Sequence, residues 1–477
     1  MGIILFVGLA FVVIGLIHLY LWKRLVKDTT RPGRWRRVGA GVAVVLGLLV
    51  PATLIGTRTG VTALAWPGYL WIALMFYLLV VLVLLEIPML LARIVLRRRA
   101  AQPAAQRVGQ TVGTRLADGP EDRSAFTDHT AAGDGKRPAT TNDHTTAADA
   151  TPTAATNDHT TAADATPTAA TNDHTTAADA APTAATDDHT ADDEPGAPAG
   201  IERRLVLARG AAIFAGLTAA GITGYGVRTA LGSPRLDRVQ ITLAKLPRTM
   251  DGLRIATVSD IHLGPLAGRA HTERVVAAIN RTQADIVAVV GDLVDGSVSE
   301  LGAAAAPLRE IQSRHGAFFV TGNHEYYSGA EEWLAEVERL GIRTLRNQRQ
   351  LIRANGGAID LAGVNDIAGE GTSTGGPDIP GTLKDRDPKI PVVLLAHQPV
   401  QVHDAAEHGV DLQLSGHTHG GQMVPFNYAV RLEQPVVSGY GRFRDTQLYV
   451  TNGAGFWGPP VRVGAPPQVT LVELRSA

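Results

Sequence analysis

A chain of 477 residues is long enough for two or three units at roughly 150 residues per domain, so one compact domain is not expected. Lys plus Arg total 44 against 45 Asp plus Glu, a net charge of -1, and no global basic field draws the chain to nucleic acid. Cysteine is absent, which excludes disulfides, thiolate zinc sites, iron-sulfur clusters and cysteine nucleophiles together, without fixing the compartment.

From Met1 to Trp22 the sequence is almost wholly apolar, close to the roughly 20 residues that cross a bilayer. Val38 to Gly56 and Pro67 to about Leu91 behave likewise, the latter led by Trp66, Tyr69 and Trp71 in the manner of an interfacial aromatic belt. A cleaved signal peptide is the rival reading of the first run, but no basic region precedes it. Residues 1–99 therefore read as three transmembrane helices. Lys23, Arg24, Lys27, Arg31, Arg34, Arg36 and Arg37 mark the first loop as cytoplasmic, and Arg93, Arg97, Arg98 and Arg99 put the end of the third span on the same side. Glu86, near that end, is an intramembrane carboxylate that snorkels or serves a function.

Residues 100–200 turn to Ala, Thr, Asp and Pro, a composition that cannot bury enough surface to fold. The 15-residue unit at Thr141–Ala155 recurs at Thr156–Ala170 and nearly intact at Thr171–Ala185. No unit offers a hydrophobic face to stack, so a disordered low-complexity linker, on the cytoplasmic side, is favoured over a solenoid. Its Asn-Asp-His triplets, such as Asn142, Asp143 and His144, are at best weak metal binders. Beyond the linker, residues 203–232 place Arg203 and Arg204 ahead of a Gly-rich and Ala-rich apolar run. They read as a fourth transmembrane helix or an internal twin-arginine-like signal. Either sends the C-terminal part outside the cytoplasm, close to the membrane.

Residues 237–477 form the globular part, in which five apolar runs of strand length each end in a potential metal ligand. Arg254–Val258 leads to Asp260 and His262, and Asp285–Val290 to Asp292 and Asp295. Ala317–Val320 leads to Asn323, His324 and Glu325, Val392–Leu395 to His397, and Val410–Leu414 to His417 and His419. Sites in layered α/β folds assemble at strand C-termini, which gives the recurrence a structural reason. Singly each motif is weak, and lone histidines such as His271, His315, His403 and His408 read as surface residues. The ordered set carries the specificity.

That set resembles the motif series of the calcineurin-like metallophosphoesterase superfamily, over roughly Leu246 to Glu473. Gly322–Tyr327 and Ser415–Gln422 are similar to its bacterial membrane-associated branch, the YkuE-type and YaeI-type phosphohydrolases. The resemblance implies two central β-sheets flanked by helices, and two divalent metal ions, manganese, iron or zinc. Asp260, His262, Asp292 and His419 would hold the first ion and Asn323, His397 and His417 the second, with Asp292 bridging. His324 would be the catalytic histidine, oriented by Asp295.

Two such ions sharing a hydroxide generate a nucleophile near neutral pH and clamp the phosphoryl oxygens. Imidazole, carboxylate and amide donors without thiolate favour borderline metals over copper(I). The expected activity is hydrolysis of a phosphoester or pyrophosphate bond in a multi-pass protein of the cell membrane. A lipid-linked or envelope substrate is suggested by the short tether. Nuclease or nucleotide phosphodiesterase activity is the rival, but residues 237–477 carry 14 Asp and 12 Glu against 3 Lys and 19 Arg, a net charge near -4 without a polyanion footprint, so no nucleic-acid partner is expected. A non-catalytic membrane scaffold is the other rival, against which the complete ligand set speaks.

Overall fold

The computed structural model describes residues 2–101 and 199–477; the repeat segment and its Asn-Asp-His triplets lie outside the described residues. Among the described residues, four helices are long and apolar enough to cross a membrane: α1 (Gly2–Trp22), α2 (Arg34–Arg58), α3 (Ala65–Ala101) and α4 (Ala199–Leu231). The helices overrun the apolar stretches that announce them, because charged side chains such as Arg34 at a helix end interrupt hydropathy without interrupting backbone hydrogen bonding. Leu21, Val50, Leu78, Leu82, Ala215 and Ala219 share one apolar core among these helices. Glu86 of α3 is tied down. Arg24 Nε lies 2.9 Å from its carboxylate and Tyr20 donates to it at 2.9 Å, so a carboxylate in an apolar helix has found partners.

The C-terminal part begins at Arg235, two residues before the start expected from the sequence, and contains two six-stranded sheets. In chain order the strands are β1 (Arg235–Leu243), β2 (Leu253–Val258), β3 (Ile286–Val290), β4 (Ala317–Val320), β5 (Arg343–Thr344), β6 (Gln348–Ala354), β7 (Gly357–Gly363), β8 (Val392–Leu395), β9 (Leu412–Ser415), β10 (Gly439–Phe443), β11 (Thr446–Val450) and β12 (Gln468–Ser476). One sheet runs β1-β12-β2-β3-β4-β5 and the other β10-β11-β9-β8-β7-β6. Strands β2 to β5 are parallel, as are β7, β8, β9 and β11, and antiparallel pairs close the edges at β6 and β10.

The two-residue period of a strand sorts these runs onto two faces. Ile255, Ile286, Ala288, Val290 and Phe318 meet Leu361, Val393, Leu395, Leu412 and Leu414 between the sheets. Ala256, Val258, Val287, Val289 and Phe319 face the other way, toward the helices Arg269–Arg281 and Ala330–Arg339. Ala362, Val392 and Leu394 do the same on the second sheet, against Val402–Glu407. The result is a four-layer helix-sheet-sheet-helix stack, the architecture that the family resemblance implies. Strands buried on both faces read as continuous apolar runs, which is why the central ones were visible in the sequence. One expectation is corrected: His271 is not a surface residue but is buried on the helix Arg269–Arg281, in a tilted contact with Phe456.

The long apolar helices and the phosphoesterase fold meet directly. Val461, with Met423 and Val463, joins the apolar core of the helices, and the Arg462 amide donates to the carbonyl of Gly226 in α4 at 3.0 Å.

Candidate metal centre

Parallel strands β2, β3, β4, β8 and β9 deliver their C-terminal ends to one edge of the sandwich, where the seven candidate ligands follow them. Five of them adopt the left-handed backbone conformation: Asp260 (φ 51°), His262 (48°), Asp292 (53°), His417 (71°) and His419 (53°). Each strand ends in a sharp turn that aims a side chain back over the sheet edge. Asp, Asn and His are the non-glycine residues that tolerate this region best, so ligand chemistry and backbone demand select the same residue types. Glycine supplies the closest approaches. A Cβ on Gly291 (φ 75°) would lie 2.6 Å from both the Gly322 amide nitrogen and His397 Nδ1, and one on Gly453 (φ 76°) would lie 2.5 Å from Asp260 Cβ.

The ligands fall into two groups that share Asp292. In one, His262 Nε2 and His419 Nε2 are 3.0 Å apart, with Asp260 Oδ1 at 4.0 and 3.4 Å from them. In the other, His397 Nε2 lies 3.3 Å from His417 Nδ1 and 3.1 Å from Asp292 Oδ2. The same Oδ2 is 3.7 Å from His262 Nε2. Asp292 Oδ1 instead accepts from the His324 amide at 2.9 Å, so one oxygen faces both groups while the other fixes the side chain. Asn323 heads the helix Asn323–Ser328, and its Oδ1 is buried without a hydrogen-bond partner.

These atoms fit a pair of divalent cations. Asn323 Oδ1 has no donor, the His262 and His419 ring nitrogens face each other at 3.0 Å, and the Asp260 and Asp292 carboxylates are buried beside them, an array that a cation satisfies together. Burial, aided by the His397 charge for one and by Arg462 for the other, keeps His417 down to about 3 and His419 well below the usual histidine range. Both rings are therefore neutral, the form that can ligate. Burial opposes ionisation of Asp292, yet the adjoining His397 and His262 rings hold its carboxyl well below the ordinary carboxylate range.

Neighbouring groups orient the ligands. His397 Nδ1 donates to the Val290 carbonyl at 2.9 Å, which turns its Nε2 toward Asp292. Asp295 Oδ1 accepts from His262 Nδ1 at 2.8 Å and from His324 Nδ1 at 2.6 Å. Burial pushes Asp295 up, but the two rings outweigh it and hold the carboxyl down at about 2. Glu325 accepts from the amides of Gly322, Asp292 and Leu293 at 2.6, 3.0 and 2.7 Å, stitching the loop after β4 to that after β3.

Several contributors have no sequence motif. Ser259 hydrogen-bonds the Asp260 carboxylate, and Gln398 Nε2 donates to buried Asp366 at 3.0 Å beside His397. Arg462 is fully buried, donating from Nη1 to the His419 carbonyl at 2.7 Å and placing Nη2 3.1 Å from His419 Nδ1. Only proximity in space marks these residues; the apolar, Pro-rich stretch around Arg462 gives no sign of a buried cation.

Fold and site together define a metal-dependent phosphoesterase. The calcineurin-like phosphoesterase family model matches residues 253–421. An uncharacterized metallophosphoesterase of Helicobacter pylori is 38% identical over 258 residues, covering 53% of this chain and 68% of its own. A transmembrane protein with metallophosphoesterase domain from Danio rerio is 35% identical over 274 residues, covering 56% and 63%. The uncharacterized metallophosphoesterase YkuE of Bacillus subtilis is 30% identical over 278 residues, covering 56% and 94%. The chain belongs to the calcineurin-like phosphoesterase family and is a hydrolase of phosphoric ester bonds. It spans about two thirds of the first two relatives.

Proposed function

We propose that the protein is a membrane-anchored binuclear phosphoesterase whose site is built from Asp260, His262, Asp292 and His419 on one side and Asn323, His397 and His417 on the other. The observation that carries this reading is the single Asp292 oxygen facing both ligand groups, beside an unpartnered Asn323 oxygen. When bound, two divalent ions supply the charge that polarises the phosphoryl oxygens and lowers the pKa of an attacking water.

The chain's own residues do the rest. Asp292 holds the two groups in one geometry and His397 keeps its tautomer through the Val290 carbonyl. His324 is partly exposed at the rim, and its Nδ1–H is committed to Asp295. Its Nε2 is left to carry a proton to the departing alkoxide. The substrate is a phosphoester or pyrophosphate presented at the outer membrane surface, with manganese, iron or zinc as the ions. Nuclease action is disfavoured because residues 237–477, with a net charge near -4, carry no basic excess for a polyanion.

The full chain in detergent, freed of metal and reloaded with manganese, is expected to hydrolyse an aryl phosphate or aryl phosphodiester and to stop on chelation. Activity indifferent to chelator sinks the two-metal reading. Orientation is checked separately. Basic residues flank the inner ends of α1 and α3, so protease added to intact cells should release the domain C-terminal to α4. Full protection reverses the topology.

A further inference from the structure

Exposed apolar side chains are not scattered over the catalytic part. Of the seven large ones in residues 235–477, four lie within nine residues, Val424, Phe426, Tyr428 and Leu432, and Leu432 is 90% exposed. Two more, Tyr327 and Trp457, flank the proposed acid: their rings stand 5.4 and 6.2 Å from the His324 ring. A water-facing surface has no reason to gather such residues at one edge.

The edge is continuous with the membrane helices. Met423, one residue before the cluster, packs into their core, and the Val424 amide donates to the carbonyl of Val463, which packs there too. On the other flank Gly458, next to Trp457, abuts Tyr69 near the start of α3, a Cβ there falling 3.6 Å from the ring. The sole charge among Val424–Leu432 is Arg431, whose guanidinium sits 5.8 Å from the Tyr428 ring centre. Aromatic and aliphatic side chains with one cation, at the end of spanning helices, match the composition of segments that lie in the headgroup layer.

We propose that Val424–Leu432 seats in the bilayer interface and holds the mouth of the metal centre at the headgroup plane, so that the substrate is a phosphoester carried by a membrane lipid. The lipid assignment rests on the phosphoesterase reading; the seating of the segment does not.

The chain has no cysteine, so Phe426→Cys, Leu432→Cys and, as control, Gln312→Cys can each be spin-labelled in the full chain reconstituted into phosphatidylcholine–phosphatidylglycerol vesicles. Gln312 is exposed and precedes β4, at the opposite end of the sheet from the site. Labels at 426 and 432 are expected to be reached by oxygen in preference to a water-soluble nickel chelate, with the reverse at 312. Nickel access at all three overturns the proposal and leaves the patch to a protein partner. In the same vesicles, the triple variant Phe426→Ser, Tyr428→Ser, Leu432→Ser should lose about tenfold on vesicle-borne phosphatidic acid and keep its rate on a soluble aryl phosphate, because only delivery is impaired. Equal effects on both substrates, or a wild type that turns over only the soluble one, overturn lipid presentation. A wild type inactive on both refutes the phosphoesterase reading and leaves the depth result standing.

Discussion

Asp292→Ala is expected to empty both cation positions and to lower turnover by at least about 10³-fold, several kcal/mol of lost charge stabilisation at roughly 1.4 kcal/mol per decade. The size comes from geometry. Asp292 Oδ2 lies between His397 Nε2 at 3.1 Å and His262 Nε2 at 3.7 Å, so removing it withdraws an anionic donor from both groups at once. Loss of any other ligand touches one group only. Oδ1 also anchors the His324 amide, so the variant should loosen the start of the helix Asn323–Ser328. Metal content by atomic emission, read with circular dichroism to confirm folding, checks the result. A folded variant that retains two equivalents of metal and its turnover rules out Asp292 as the bridge.

His324→Ala should behave in the opposite way, keeping its metals while losing about 10²-fold to 10⁴-fold in rate, the range general acid catalysis supplies. Its ring is hydrogen-bonded to Asp295 at 2.6 Å and is not placed between the two ligand groups, so its loss opens no coordination position. The deficit should be steepest for alcohol leaving groups of high pKa and shallow for nitrophenolate, which departs without a proton. Rates across a series of aryl and alkyl phosphates test this. A uniform deficit, independent of leaving group, removes His324 from the proton-transfer role.

The catalytic strands were legible in the sequence because burial on both faces makes Ile286–Val290 or Val392–Leu395 apolar throughout, and the next residues break that pattern with ligand types. Edge strands such as β5, two residues long, and β10, built on Gly439–Phe443, carry no such contrast and are defined only by their neighbours. At the site, the family resemblance of the motif series named the proposed metal ligands and the His324–Asp295 pair. It could not give Arg462, whose partner His419 is 43 residues away, nor the pairing of Gln398 with Asp366. Those roles arise when loops from different strands are brought into contact. The function of Glu325 was equally hidden, because its three partners are backbone amides and amides leave no mark on composition. In the N-terminal part, hydropathy marked the apolar stretches, whereas the helix ends were set by local hydrogen bonding beyond them.

The left-handed turns at Asp260, His262, Asp292, His417 and His419 have a bearing on genetic variation at these positions. Replacement by Asn or Gly keeps a backbone that the turn accepts, and yields alleles that are made, inserted and inert. Replacement by Val, Ile or Thr sets a branched Cβ into a conformation it resists, at a cost of order 1–3 kcal/mol at each position before any ligand is counted. Such alleles should be scarce in the membrane as well as inactive. Protein abundance, measured across a saturation library at these five codons, would divide along Cβ branching, whereas activity would not.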